Sequence, residues 1–392
     1  MPRLLYTYLV NQVLAPLYAS LALLTSIFFL RKIIPALDIL LDYHISFSDF
    51  IRFFAYITPQ LLLFALPMAS MLGGVLGAVR LNNDREMMIM KSGGISFYQM
   101  LPPIIVIALC TSLLSGLVSV YLIPAGNKAK ADLIFRLAQK KIENSLQEKR
   151  FSESMGDIVL YVDKMDKKKK LWHGVYISDM REREKPLTIM ARRGIISRNL
   201  DSGFITLNLS DGSLHRNGGE SVESIQFQNY KLKLPVIKPT GNPLAKRGKF
   251  VMTQAQLLEQ AVILGRNTKE GAEMLNEYHM RLAIPVGCFI LTLLGFPLGL
   301  IAGPGQRAIG VPIALFVFTF YYILLIAGNA IGKTHLAPPL LAMWLPNTVF
   351  FIIAFLFIQG TAKESFTNQI DKISALLYSV SQKLSRHSRK NS

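Results

Sequence analysis

The sequence predicts an α-helical membrane protein with six transmembrane helices plus an inserted extracytoplasmic all-β domain, jelly-roll-like in kind. Three observations predict it. Six segments each supply the roughly 20 apolar residues that a helix needs to cross a bilayer. The long stretch between the third and fourth segments is polar and reads as short β-branched and aromatic runs. The 392 residues are 51% hydrophobic and only 17% charged, against about 25% charged in an average soluble domain. With a mean hydropathy of +0.35, this composition excludes a single soluble globular domain and disorder of the whole chain. Lys and Arg number 43 against 25 Asp and Glu, a net charge of +18. An apolar yet basic chain points to a membrane protein before a nucleic-acid binder, and the placement of the charges at span ends and in loops settles it: no nucleic acid is an expected partner. The two cysteines, Cys110 and Cys288, lie in apolar runs, which excludes a disulfide scaffold and a Cys-rich metal site.

The spans follow in order. Leu4–Leu30 is free of charge between Arg3 and Arg31-Lys32. It is too long for the apolar stretch of a cleavable signal peptide and lacks a small-residue cleavage motif. Phe53–Val79 lies between Arg52 and Arg80; Ile95–Asn127 is expected to end near Pro124. Leu282–Gln306 follows Arg281, Ala308–Gly332 follows Arg307, and Thr334–Ala362 carries only His335. Each can cross with some tilt.

Between them, strands are expected at Asp157–Asp163, Leu171–Ser178 and Gly203–Ser210, with more at Arg193–Arg198, Val222–Phe227 and Tyr230–Leu234. Turn residues separate them: Asp166 with Lys167–Lys170, Asp201-Ser-Gly203, Asp211-Gly212 and Asn217-Gly-Gly219. Regular short strands with polar turns predict an antiparallel sandwich or jelly roll. Helices at about Lys128–Gln147 and Thr253–Leu264 lead in and out. The chain thus divides into residues 1–127, 128–270, 271–362 and a tail, 363–392.

Short-loop charges set the orientation. Arg3, the loop with Arg80, Arg85 and Lys91, Arg307, and the tail with Lys363, Lys372, Lys383, Arg386, Arg389 and Lys390 all fall on one side. Opposite them Arg31-Lys32 is offset by Asp38, Asp42 and Asp49. Both termini are therefore expected in the cytoplasm and the β domain outside it. That domain is itself basic, but long domains cross largely regardless of charge. The tail, with Ile370, Ile373, Leu377, Val380 and Leu384 among basic residues, reads as an amphipathic helix resting on anionic membrane lipid.

Few motifs carry chemistry. Ala327-Gly-Asn-Ala-Ile-Gly332-Lys333-Thr334 fits a relaxed P-loop, but it caps a membrane span with no strand before it and no Walker-B-like acidic strand elsewhere, so a coincidental Gly-rich turn is the better reading. His44, His173, His215, His279, His335 and His387 are scattered, with no paired ligand spacing. No metal and no cofactor bound by this chain is expected. The absence of a convergent nucleophile, acid and base argues against an intramembrane lipid enzyme, and the near absence of ionisable groups in the spans against a proton relay.

Small residues are more informative. Gly73 and Gly77 lie one turn apart, as do Gly295, Gly299 and Gly303, spacing that lets helix backbones approach closely. They read either as ordinary packing or as a mobile or intersubunit helix seam. Pro67, Pro285, Pro297 and Pro312 are expected to kink or loosen their helices. The loop Arg80–Gly94 reads as a short helix with Asn83 or Asp84 as cap and Gly93 at its end. Met87, Met88 and Met90 give it adaptable apolar contacts, for a lipid surface or for a soluble partner. Arg31 and Lys32 read either as snorkelling anchors or as a site for an anionic head group or phosphate.

This layout resembles the LptF/LptG permeases of the lipopolysaccharide-export ABC transporter of Gram-negative bacteria. The resemblance rests on three spans, a β domain and three spans, with Arg80…Asp84-Arg85-Glu86…Met90…Gly93 in the loop. Pro67-Met-Ala-Ser-Met-Leu-Gly73, Pro124-Ala-Gly126, Glu277-Tyr-His-Met-Arg281-Leu-Ala-Ile-Pro285 and Gly295-Phe-Pro297-Leu-Gly299 also match. It covers about residues 4 to 362, and Phe28-Phe-Leu-Arg31-Lys32 looks closer to the F member than to the G member.

The resemblance implies a non-catalytic permease subunit in the bacterial inner membrane, with its β domain in the periplasm. It implies a homologous permease subunit, LptG or LptF, as partner, the two enclosing an outward-open cavity. An LptB ATPase dimer beneath would consume the ATP. LptC and a periplasmic bridge would receive lipopolysaccharide. The helix at about 82–94 would couple the ATPase to the spans through Asp84, Arg85, Glu86, Met87 and Met90, with Glu86 engaging the motor. Arg31 and Lys32 would contact substrate phosphates, and spans one and five would form a lateral gate. The alternative is a mechanotransmission permease that drives periplasmic partners without passing substrate through its spans.

Overall fold

The computed structural model describes residues 3–42, 46–145, 149–152, 158–166, 171–180, 187–199, 204–217, 222–235, 248–301, 310–334 and 337–363. Gly303, the loop with Arg307, His44, His335, the tail beyond Lys363, and the turns Lys167–Lys170 and Asp201-Ser-Gly203 lie outside the described residues. Helices α1 (Arg3–Asp42), α2 (Phe47–Asn83), α3 (Glu86–Ser92), α4 (Phe97–Leu117) and α5 (Ile123–Ser145) precede six strands. Among the helices that follow them are α6 (Gln254–Ile263), α7 (Lys269–Ile301), α8 (Gly310–Lys333) and α9 (Pro339–Ala362). Six of the helical stretches are long and apolar enough to cross a membrane. The described chain forms two compact units: residues 1–34, 58–124 and 252–392, and residues 35–57 and 125–251.

In the helical unit, α2 and α7 are central. Of their most apolar windows, 83% and 78% is buried within the chain, against 17% for α1 and 22% for α8. The core between α2 and α7 gathers Ala69, Met71, Val75, Leu291, Leu294 and Leu298. Local chemistry marks the helix starts. The Ser96 N–H donates to Gln99 Oε1 at 3.0 Å before α4. At α6, Thr253 and Gln256 form a reciprocal capping box. The turn into α7 uses Gly265 at φ +87, and Thr268 Oγ1 accepts from Gly271 N–H at 3.1 Å.

Two details of the helices add to the sequence expectations. At Pro124, the expected end of span three, the helix itself does not break: α4 passes through a π-helical turn, Val118–Leu122, directly into α5. The π turn shifts the hydrogen-bond register just before Pro124, so the missing N–H and the ring fall where a helix start tolerates them. Pro59 and Pro67 sit inside α2, and Pro285 and Pro297 inside α7, without ending either helix. The Pro285 carbonyl accepts from Ser112 Oγ of α4 at 2.9 Å, which ties two helices at the loosened turn.

The β unit is one antiparallel sheet in sequential order, β1 (Phe151–Ser152), β2 (Ile158–Asp166), β3 (Leu171–Asp179), β4 (Leu187–Asn199), β5 (Phe204–Asn217) and β6 (Val222–Pro235). Regular pairing lapses along one row that crosses five strands, through Asp163, Gly174, Arg192, Asp211 and Gln228. The row is a crease. Gly174 and Asp211 adopt left-handed φ of +63 and +58 there. Inward-facing residues change parity across it: Trp172 and Val175, three apart, both enter the core, as do Phe227 and Tyr230. An uncreased strand keeps a period of two. A sheet bent in this way encloses its own core of Ile158, Leu160, Val162, Ile177, Ile189, Leu207 and Leu209, joined by Phe135 of α5.

Candidate functional site

α2 stops because Arg85 takes φ 60 and ψ 9, and no side chain caps α3. A left-handed conformation costs a non-glycine residue about 1 kcal/mol and turns the chain out of the helix. The N-cap position falls on Arg85 rather than on Asn83 or Asp84: Asn83 ends α2, and Asp84 pairs with Arg80 at 3.9 Å. α3 then has two faces. Met87 and Met90 turn inward, 5% and 8% exposed, against Leu9, Val13, Leu81, Phe97 and Met100. Met88 and Ile89 turn outward, 69% and 67% exposed. Arg85 and Lys91 lie exposed on either side of this apolar pair. The sequence expectation placed the apolar contacts on Met87, Met88 and Met90. Met87 and Met90 hold the helix down, and the surface it offers is Met88 together with Ile89.

Glu86 does not point freely outward. Tyr8 Oη of α1 donates to its two carboxylate oxygens at 2.7 and 2.6 Å, and Gln12 Nε2 donates to the same phenol oxygen at 2.7 Å. Neither Tyr8 nor Gln12 carried a sequence signal. They lie in an apolar run, and only the folding of α2 back along α1 brings them to Glu86.

Arg31 and Lys32 are both exposed. These two adjacent cations stand on a stretch of α1 remote from α3, in which no residue from Thr25 to Ile34 is fully buried within the chain.

The glycines make seams inside this chain. A Cβ on Gly73 would stand 2.7 Å from Leu17 Cβ, and one on Gly77 2.9 Å from the Gln12 carbonyl oxygen, so α2 touches α1 there. A Cβ on Gly295 would stand 2.6 Å from the Met71 carbonyl oxygen, and one on Gly299 would meet Val75 O, so α7 touches α2.

Two features went unread in the sequence. Arg281 Nε donates to Glu277 Oε1 at 3.0 Å, with both side chains buried, and Arg281 Nη1 donates to the Met252 carbonyl at 2.7 Å. Their i,i+4 spacing was a signal, but burial was not visible. Tyr321 Oη of α8 donates to Asn347 Oδ1 of α9 at 2.9 Å, and Asn347 Nδ2 donates to the Ala283 carbonyl of α7 at 2.9 Å. The relaxed P-loop pattern is helical up to Lys333. Its Gly328 lies against Ala342 and its Gly332 against Asn276, so no phosphate cradle forms. Among the described residues, no group of three or more His, Cys, Asp or Glu could hold a metal ion.

Six helices long and apolar enough to cross a membrane, three on either side of an inserted β unit, with a short, apolar-faced helix between the second and third, mark a multi-pass membrane protein. The chain belongs to the family of lipopolysaccharide export system permeases LptF/LptG, which matches residues 7–359. It is 19% identical over 363 residues to the lipopolysaccharide export system permease protein LptF of Escherichia coli K12, covering 88% of this chain and 92% of that protein. The LptF protein of Shigella flexneri is similar to the same degree. An uncharacterized protein of Rickettsia prowazekii, RP871, is 21% identical over 328 residues, covering 81% of this chain and 89% of that protein. The chain is thus a multi-pass inner-membrane protein of a family of non-catalytic transport subunits.

Proposed function

We propose that this chain is the transmembrane permease subunit of an ABC transporter that extracts lipopolysaccharide from the outer leaflet of the inner membrane and passes it to a periplasmic bridge. The family match across both helical halves and the β insertion carries the reading. Both termini lie in the cytoplasm and the β domain in the periplasm, in keeping with the short-loop charges. A homologous permease subunit and lipid cover α1 and α8, the two spans this chain buries least. An LptB dimer docks on α3, with Met88 and Ile89 as its apolar contact and Glu86 beside them. LptC receives the substrate. Arg31 and Lys32 contact its phosphates, for which adjacent exposed cations suit an anionic amphiphile. The chain itself binds no cofactor, and ATP is consumed by the motor.

Two experiments test this. Photo-crosslinking residues placed at 31 and 32 should label lipopolysaccharide in the assembled complex, and charge reversal, Arg31→Glu with Lys32→Glu, should cut loading while leaving folding intact. Intact assembly without label would favour the mechanotransmission alternative. Glu86→Ala should weaken co-purification of the ATPase, or uncouple hydrolysis from export, by roughly tenfold, about 1.4 kcal/mol. Normal association together with normal export would sink the docking role.

A further inference from the structure

The carboxylate of Glu86 is held by α1, the helix that carries Arg31 and Lys32 further along. A phenol O–H donating to a carboxylate at 2.6 to 2.7 Å is a charge-assisted bond, roughly twice as strong as a neutral one. Gln12, which donates to that phenol, sits at one of the two glycine contacts between α1 and α2. Pro16 has no N–H to give to the Gln12 carbonyl, and Gly77 fills the opened side. Among the side chains of α1 described up to Ile34, the buried ones are Leu9, Val13, Leu17 and Leu24. From Thr25 to Ile34 none is fully buried. The start of α1 is therefore pinned to α3 and α2, while the stretch that carries Arg31 and Lys32 is packed more lightly.

We propose that Tyr8 is a positioning residue that makes α1 travel with α3. The inference rests on α3 as the docking element of the motor. A displacement of α3 pulls on α1 through the Tyr8–Glu86 bond. Arg31 and Lys32, roughly 35 Å further along the helix at 1.5 Å per residue, then move with it. The link explains why Glu86 is engaged by α1 and why Gln12 steadies the phenol. It makes the cationic stretch of α1 respond to an event near the start of the same helix.

The test uses the whole complex in proteoliposomes, with ATP hydrolysis, ATPase association and nucleotide-dependent release of lipopolysaccharide from crosslinkers at 31 and 32 measured separately. Tyr8→Phe keeps the ring and removes the donor. Association and hydrolysis should stay within about twofold of the parent, while release falls roughly tenfold, the scale of one lost hydrogen bond to a charged group. Para-aminophenylalanine at position 8, which donates from the same place, should restore release. Parental release in Tyr8→Phe would overturn the proposal. So would a joint fall in association, hydrolysis and release, which would mark a merely structural contact. Failure of the docking reading looks different: Glu86→Ala would then leave association and export untouched.

Discussion

Replacing Gly299 with leucine should remove the folded protein from the membrane. The α2–α7 seam is a close backbone contact at the centre of the helical unit. A single added carbon at Gly299 stands 2.7 Å from Ala78 Cβ and meets the Val75 carbonyl oxygen. One turn earlier, Gly295 lies against Met71 O. These neighbours are backbone and Cβ atoms, with no flexible end to swing aside. Leucine would push the two most buried helices apart and open the core around Met71, Val75 and Leu298. Overpacking costs typically about 1–3 kcal/mol, and more where backbone must shift. In a bilayer, close van der Waals approach is a main source of helix association, so little compensates. Melting in detergent and steady-state abundance read this directly. Gly116→Ala is the control: its added carbon would lie 3.8 Å from Pro285, an ordinary contact, and should be tolerated. A Gly299→Leu protein that melts like the parent would show that the seam is looser than described.

Breaking the Glu277–Arg281 pair should be nearly as damaging. The two side chains are 7% and 3% exposed and 3.0 Å apart. Arg281 also holds the Met252 carbonyl just before α6, and Gln254 of α6 reaches the Tyr278 carbonyl. Glu277→Ala leaves a buried guanidinium without its nearest carboxylate, a change that costs about 3–5 kcal/mol. It should loosen α6 from α7 as well, visible as faster proteolysis around residues 248–268. Glu277→Leu combined with Arg281→Met removes both charges and should recover most of the loss. Equal destabilisation in the single and double variants would show that the pair does not act as a unit.

The six spans were legible because a bilayer imposes length and apolarity on every crossing helix, and both can be counted along the chain. The β insertion was legible through its β-branched runs. Its strand ends were not. Asp211-Gly212 reads as a turn, yet β5 runs through it, because a crease needs the same left-handed backbone and small residues as a turn. The expected strands Val222–Phe227 and Tyr230–Leu234 are two halves of β6, separated where inward parity flips. Asp84, Arg85, Glu86, Met87 and Met90 all lie on or beside α3. A seven-residue helix has too little periodicity to say which face is free, so Met88 was grouped with the inward Met87 and Met90, and Ile89 was passed over as a contact.

What the sequence determined by itself is the count of crossings, the place of the inserted domain and the family, since each rests on composition or order along the chain. What only the tertiary structure decided is who meets whom. Gly73 and Gly77 face α1, and Gly295 and Gly299 face α2. Tyr8 finds Glu86. Helix periodicity gives a residue its face, but the partner of that face depends on how helices distant in sequence fold back on one another, and short local patterns carry no record of that.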